Sequence, residues 1–183
     1  TYYSKYDIIK IVSNNSSLER ATSEIVSSRP PVVVFGIGIP GSGKSTFLQQ
    51  LGRELATDPI NVDGYRNRMM ATGWSIGGVD RLNHQIATDV ANRIMQGGVA
   101  LIDSTNCHAE FRQKDIELYR SLGARTIGAI FLDTPLDIAI ARDAERQSTA
   151  HVGAQTIKSM HTALQAQQPT QSEGFDWVIK QTL

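Results

Sequence analysis

Val32-Val33-Val34-Phe35-Gly36-Ile37-Gly38-Ile39-Pro40-Gly41-Ser42-Gly43-Lys44-Ser45 is the stretch that decides how this chain folds. Its first six residues form an apolar run rich in β-branched side chains, the composition of a strand buried on both faces. The last eight fit the spacing G-x-x-x-x-G-K-[ST] without a mismatch. The glycines let the backbone curl so that successive N–H groups point inward, a nest for phosphate oxygens. Lys44 to Leu55 reads as a helix, and the dipole at its N-terminus adds to that cradle. In such a loop the lysine bridges the β- and γ-phosphates of a nucleoside triphosphate, and the serine hydroxyl reaches Mg²⁺. Gly41, Ser42, Gly43, Lys44, Ser45 and Thr46 are therefore the expected contacts for ATP, or another NTP, with magnesium.

Working outward from this loop, strands alternate with helices. Ile60 to Val62, Val99 to Ile102, Thr126 to Leu132 and Trp177 to Ile179 are short apolar strand candidates. Helices are expected over Tyr65 to Met70, Asp80 to Gln96, Glu110 to Leu122 and Thr156 to Gln167. A further one opens at Thr134-Pro135, with threonine as N-cap and proline at the first helical position. In the Asp80 helix, Leu82, Ile86, Val90 and Ile94 fall along one face, and Gly97-Gly98 ends it. Ala71 to Gly78, with three glycines and Trp74, reads as a mobile loop. Upstream, Ser16 to Glu19 has the form of a capping box, followed by Leu18, Ala21 and Ile25 at helical spacing. The pattern implies an α/β fold of three layers, with about five parallel strands and helices on both faces. Residues 1–29 are expected to be a helical extension, and residues 30–183 one domain.

Three segments outside the loop carry chemistry. Asp63 follows the second strand, where an open α/β sheet places its ligand crevice. It can take a proton from an acceptor hydroxyl, and Arg66, one helical turn on, can hold an anionic group. Its structural alternative is a helix N-cap. Asp103 ends an apolar strand in the Walker-B pattern and can serve Mg²⁺, directly or through water, or orient the acceptor, with Thr105 and Asn106 lining the same substrate crevice; the alternative is a turn held by Asp and Asn side chains. Arg142 and Arg146 share one helix face and run into polar Gln147-Ser148-Thr149, the form of a lid that puts guanidinium charge on phosphates. Their alternative is a charged surface helix with Asp137, Asp143 and Glu145 as partners.

Composition narrows the function classes. The 183 residues carry 18 Lys plus Arg against 18 Asp plus Glu, a formal net charge of zero. That argues against coating nucleic acid but not against gripping the end of a strand. The single cysteine, Cys107, excludes an internal disulfide framework and a Cys-rich zinc site, and fits a cytoplasmic or other reducing compartment. No apolar run is long enough to span a membrane, and no signal peptide is recognisable. The start at Thr1 rather than Met points to processing, to trimming or to a piece of a longer protein. His84, His108, His151 and His161 lack metal-ligand spacing and read as structural or solvent-facing.

Together these segments resemble the kinase domain of the polynucleotide 5′-hydroxyl kinase family, from about Val32 to Val178. Residues 38–47 are similar to its phosphate loop and residues 61–66 to its general-base segment. Asp103-Ser104-Thr105-Asn106 resembles its D-x-T-N element, with Arg112 where an arginine often follows. Arg142 and Arg146 match the lid arginines, and Ser159-Met160, Pro169 and Glu173 to Asp176 its C-terminal signature. Val62 and the residue after Val152 depart from the family's pattern. The resemblance implies transfer of the ATP γ-phosphoryl group to a 5′-hydroxyl end of RNA or DNA. Asp63 would then be the base, Lys44, Arg142 and Arg146 the charge stabilisers, and Arg66 the contact to the acceptor strand. It also implies a place in a larger nucleic-acid repair protein. The 3′-phosphatase often fused to these kinases needs a D-x-D motif, and this chain has none. Two other readings share the loop: a kinase for a small hydroxyl acceptor such as a nucleoside, sugar or antibiotic, and a nucleotide-switched module with no acceptor.

Overall fold

A computed structural model describes residues 5–71, 73, 78–146 and 151–182. The apolar run expected as a strand is β1, Val32–Ile37, at the centre of a five-stranded sheet. The other strands are β2 (Ile60–Asn61), β3 (Val99–Asp103), β4 (Thr126–Asp133) and β5 (Trp177–Thr182), in the order β2-β3-β1-β4-β5. Every pairing is parallel. Parallel neighbours require crossover connections, and helices supply them: α2 (Lys44–Glu54), α3 (Val62–Ala71), α4 (Gly78–Met95), α5 (Ala109–Ser121), α6 (Leu136–Ala144) and α7 (Ala154–Ala166).

The side chains of β1 show why three layers form. Val33, Phe35 and Ile37 enter one core with Leu82, Ile86, Val90 and Ile94 of α4, Ile116 and Tyr119 of α5, and Ile157 and Leu164 of α7. Val32 and Val34 enter a second core with Phe47, Leu48 and Leu51 of α2. A strand alternates its faces, so an unbroken apolar run feeds both layers at once. Gly128 in β4 makes room on the second side, since a Cβ there would lie 2.2 Å from the Trp177 ring.

The N-terminal helix α1 runs over Lys5–Ser27, which corrects the short helix expected from Ser16. Residues 5–15 contain no glycine or proline to end it, so Ser16 lies inside the helix rather than capping it. The packing residues fall as the spacing predicts: Ala21 and Ile25 are buried against α2 and the sheet, with Leu18 at the edge. The Trp177 indole N–H donates to the Ser28 hydroxyl at 3.2 Å, tying the end of α1 to β5.

The opening of α6 also departs from expectation. Thr134 makes no cap; its buried hydroxyl donates to the Ser42 carbonyl at 3.0 Å, so the residue after β4 supports the glycine-rich loop instead. The short 3₁₀ turn Gln171–Glu173 was not expected. Most of the glycine-rich segment around Trp74, and the polar residues 147–150, lie outside the described residues.

Candidate active site

All five strands run the same way, so their carboxyl ends share one edge of the sheet, where an open α/β sheet binds its ligands. β1 delivers the glycine-rich loop there. The backbone is left-handed at Gly41 (φ 82°) and Gly43 (φ 87°), which turns the loop into a nest of N–H groups above the first turn of α2. Gly41 is required twice over, because a Cβ there would lie 2.2 Å from the Ala139 carbonyl oxygen of α6.

Register brings Asp103 to the same edge, level with Gly36 of β1 and Asn61 of β2. Its buried carboxylate is ion-paired with the Lys44 ammonium, also buried. Thr105 and Asn106 then serve the loop through different atoms. The Thr105 carbonyl accepts from Gly38 N–H at 3.1 Å, and Thr105 lines the cleft. The Asn106 amide turns away and donates to the Gly36 carbonyl at 3.0 Å. Its backbone sits at φ 49°, a region asparagine tolerates well. Asn106 thus braces β1 and is not among the residues lining the cleft.

Across the cleft stands the start of α3. Asn61 caps this helix, its side-chain oxygen accepting from Gly64 N–H at 2.8 Å. That is the cap role open to Asp63 in the sequence, and Asp63 is released from it. Arg66 Nη1 donates to Asp63 Oδ1 at 2.6 Å, with side chains 47% and 66% exposed. The Tyr65 hydroxyl donates to Asp89 of α4, and this bond with burial raises the phenol above its ordinary range. That bond anchors the helix carrying Asp63 to α4, and within α3 the Arg68 guanidinium lies 4.5 Å from the Tyr65 ring centre.

The cleft encloses about 250 Å³ between the loop, Asp63, Arg66, Asn67, Thr105, Arg146, His151 and Val152. The helix expected to carry both arginines ends at Ala144, so Arg142 lies on α6 and Arg146 just beyond it, and the two are divided between two spaces. Arg146 reaches this cleft and also a second hollow of about 320 Å³ beside the loop. Arg142 lines only the second, with Thr46, Phe47, Gln50, Leu132 and Gln181.

Two residues near the site escaped the sequence reading. Asp143, expected on a charged surface, is 1% exposed and accepts the N–H groups of Val152 and Gly153, each at 3.0 Å. His151, expected to be structural or solvent-facing, lines the cleft. Cys107 is buried, and burial pushes its thiol up, away from the reactive thiolate. No helix among the described residues is long and apolar enough to cross a membrane.

A family model described as an AAA domain, AAA_33, matches residues 33–167. The chain belongs to that family. It is similar to a chain of the Pnkp1/Rnl/Hen1 RNA repair complex, with a TM-score of 0.64 and 24% identity over 82% of this chain. The present chain spans about half of that one, 48% of its length. A gluconokinase from Sinorhizobium meliloti 1021 superposes with a TM-score of 0.55 at 16% identity, covering 85% of this chain and 83% of that one. A sugar kinase from Janibacter sp. HTCC2649 gives 0.54 and 20%, covering 82% and 83%. At such identities the likeness is one of fold, and the fold of this AAA_33 chain is that of the P-loop kinases.

Proposed function

We propose that this chain is a polynucleotide kinase, transferring the γ-phosphoryl group of ATP to a 5′-hydroxyl end of RNA or DNA. The observation that carries the reading is Asp63 and Arg66 facing the glycine-rich loop across one cleft. A carboxylate and a guanidinium one turn apart suit an acceptor that bears both a hydroxyl and a phosphate. The Asp63 side chain is two-thirds exposed, which favours the end of a strand over a small molecule enclosed in a deep pocket.

In the reaction the acceptor hydroxyl gives its proton to an Asp63 oxygen and its oxygen attacks the γ-phosphorus. The bond from that phosphorus to the β–γ bridging oxygen breaks, and ADP leaves. The Asp63–Arg66 pair is exposed and so worth about 0–1 kcal/mol. An acceptor phosphate can therefore draw Arg66 away and free the carboxylate. Gly41, Ser42, Gly43, Lys44, Ser45 and Thr46 cradle the phosphates, and Arg146 adds charge from the lid side. The hollow beside Arg142 is the space for the nucleoside end of ATP.

Ser45 lines the cleft and Asp103, ion-paired with Lys44, ends the neighbouring strand β3; a hydroxyl and a carboxylate are hard oxygen donors of the kind that fits Mg²⁺ completed by phosphate oxygens. Bound there, the ion would neutralise charge developing between the β- and γ-phosphates. Similarity to a chain of an RNA repair complex supports a place in a larger repair assembly.

A small-molecule kinase is the second reading, favoured by the gluconokinase and sugar-kinase neighbours. Labelled phosphate from ATP tests both. It should appear on a 5′-hydroxyl oligonucleotide and not on nucleosides or sugars; labelling only of the small acceptors would reverse the assignment. Slow ATP hydrolysis indifferent to every acceptor would instead identify a nucleotide-switched module.

A further inference from the structure

The geometry points to His151 as a phosphate-contacting residue of the cleft, held in orientation by the buried carboxylate of Asp143. His151 Nδ1 lies 3.1 Å from Asp143 Oδ2 and 3.0 Å from the Asp143 carbonyl oxygen. Both neighbours are acceptors, so Nδ1 carries the hydrogen. Nε2 is then the nitrogen not engaged by Asp143. Protonated, it is a charged donor, and phosphate oxygen is the ligand such a group recognises.

Three further observations separate this role from plain packing. Asp143 already accepts the amides of Val152 and Gly153, so it anchors this segment without the imidazole. The His151 side chain is 48% exposed, which no core role requires. The ring also lines the same cleft as Lys44, Ser45, Arg66 and Arg146. The charged groups around it are Asp143 of α6 and Arg146 just beyond that helix, the latter 3.6 Å from Asp143 Oδ1. The Lys44–Asp103 pair lies on the loop side and the Asp63–Arg66 pair on α3. Asp143 is a positioning residue: it fixes which nitrogen faces outward and where. The phosphate belongs either to the nucleotide or to the acceptor strand, and in that choice the inference rests on the proposed kinase reading.

Equilibrium binding tests it without turnover. Binding of a non-hydrolysable ATP analogue and of a 5′-hydroxyl trinucleotide is measured by calorimetry at one pH. His151→Ala should weaken one of the two about tenfold, as for loss of a hydrogen bond to a charged group, and the ligand affected names the phosphate. In His151→Gln, whose amide restores a donor, affinity for that ligand should be partly restored, which a merely structural role for the ring would not give. Asp143→Asn should weaken the same ligand as His151→Ala does, with circular dichroism reporting whether it stays folded; if it unfolds, the His151 variants decide. Unchanged affinity for both ligands in His151→Ala overturns the inference. Failure of the wild type to label any oligonucleotide, with analogue binding still weakened in His151→Ala, removes the polynucleotide reading and leaves His151 assigned to the nucleotide.

Discussion

Arg112 and Glu173, 61 residues apart, form a two-point ion pair inside the protein: Nε and Nη2 donate to the two carboxylate oxygens at 2.6 and 2.7 Å. Arg112 has no exposed surface. Its other donors reach the Asn106 carbonyl at 2.9 Å and the Gln167 carbonyl at 2.6 Å. One guanidinium thus ties together the loop after β3, the end of α7 and the 3₁₀ turn before β5. Asn106 in turn braces Gly36, the base of the phosphate loop.

Removing one partner of this pair leaves the other charge buried and unpaired, which costs about 3–5 kcal/mol. Arg112→Ala and Glu173→Ala should each lower Tm by roughly 10 °C, given about 2–4 °C per kcal/mol for a chain of this size. The double variant should lose less than the sum, because no orphaned charge remains. Thermal melts of the three proteins check this, and additive losses would show that the pair is not coupled.

The fold was legible because its signals are local. Val32–Ile37 is apolar throughout and preceded a glycine-rich loop of fixed spacing, so strand, loop and helix could be read from fourteen consecutive residues. Asp63 and Arg66 were legible as neighbours in sequence, and they meet in the cleft. Illegible features depend on distant partners. Nothing around Asp143 marks a carboxylate that fastens residues 152 and 153. Arg112 could be noted in the sequence, but its grip on Glu173 exists only once α5 and the final turn meet. Thr134 looked like a cap because its neighbours suit one, yet the Ser42 carbonyl claims its hydroxyl.

Asp63 and Lys44 separate catalysis from binding. Loss of a general base costs about 10²–10⁴-fold in rate, so Asp63→Asn should abolish measurable transfer while ATP binds nearly as before. Lys44→Ala should weaken ATP binding about tenfold or more and lose turnover as well. Nucleotide titration beside the labelling assay distinguishes the two, and an active Asp63→Asn would remove Asp63 from the role of base.

Gly41→Ala tests the phosphate loop without touching a charge. The left-handed backbone costs alanine about 1–2 kcal/mol, and its Cβ would press on the Ala139 carbonyl, a backbone atom that cannot swing away. The loop should shift off α6, with Tm falling by several degrees and ATP affinity by about tenfold. Unaltered ATP affinity would show that the cradle tolerates displacement.

Asp115 on α5 makes the folded protein sensitive to pH. Burial alone raises its carboxyl from 3.8 to about 6. The folded state therefore holds this proton more tightly than the unfolded chain does. Below about pH 3 both states are protonated and the residue costs nothing. As pH rises through 4 to 6 the unfolded chain ionises first, and stability falls. The full shift corresponds to about 3 kcal/mol, and screening by the partial solvent contact reduces this to about 1–2 kcal/mol. Asp115→Asn should raise Tm by a few degrees at pH 7.5 and leave it nearly unchanged at pH 3. Melts of both proteins at the two pH values decide the point: an equal gain at both would mean that asparagine packs better, and that the buried charge is not the cause.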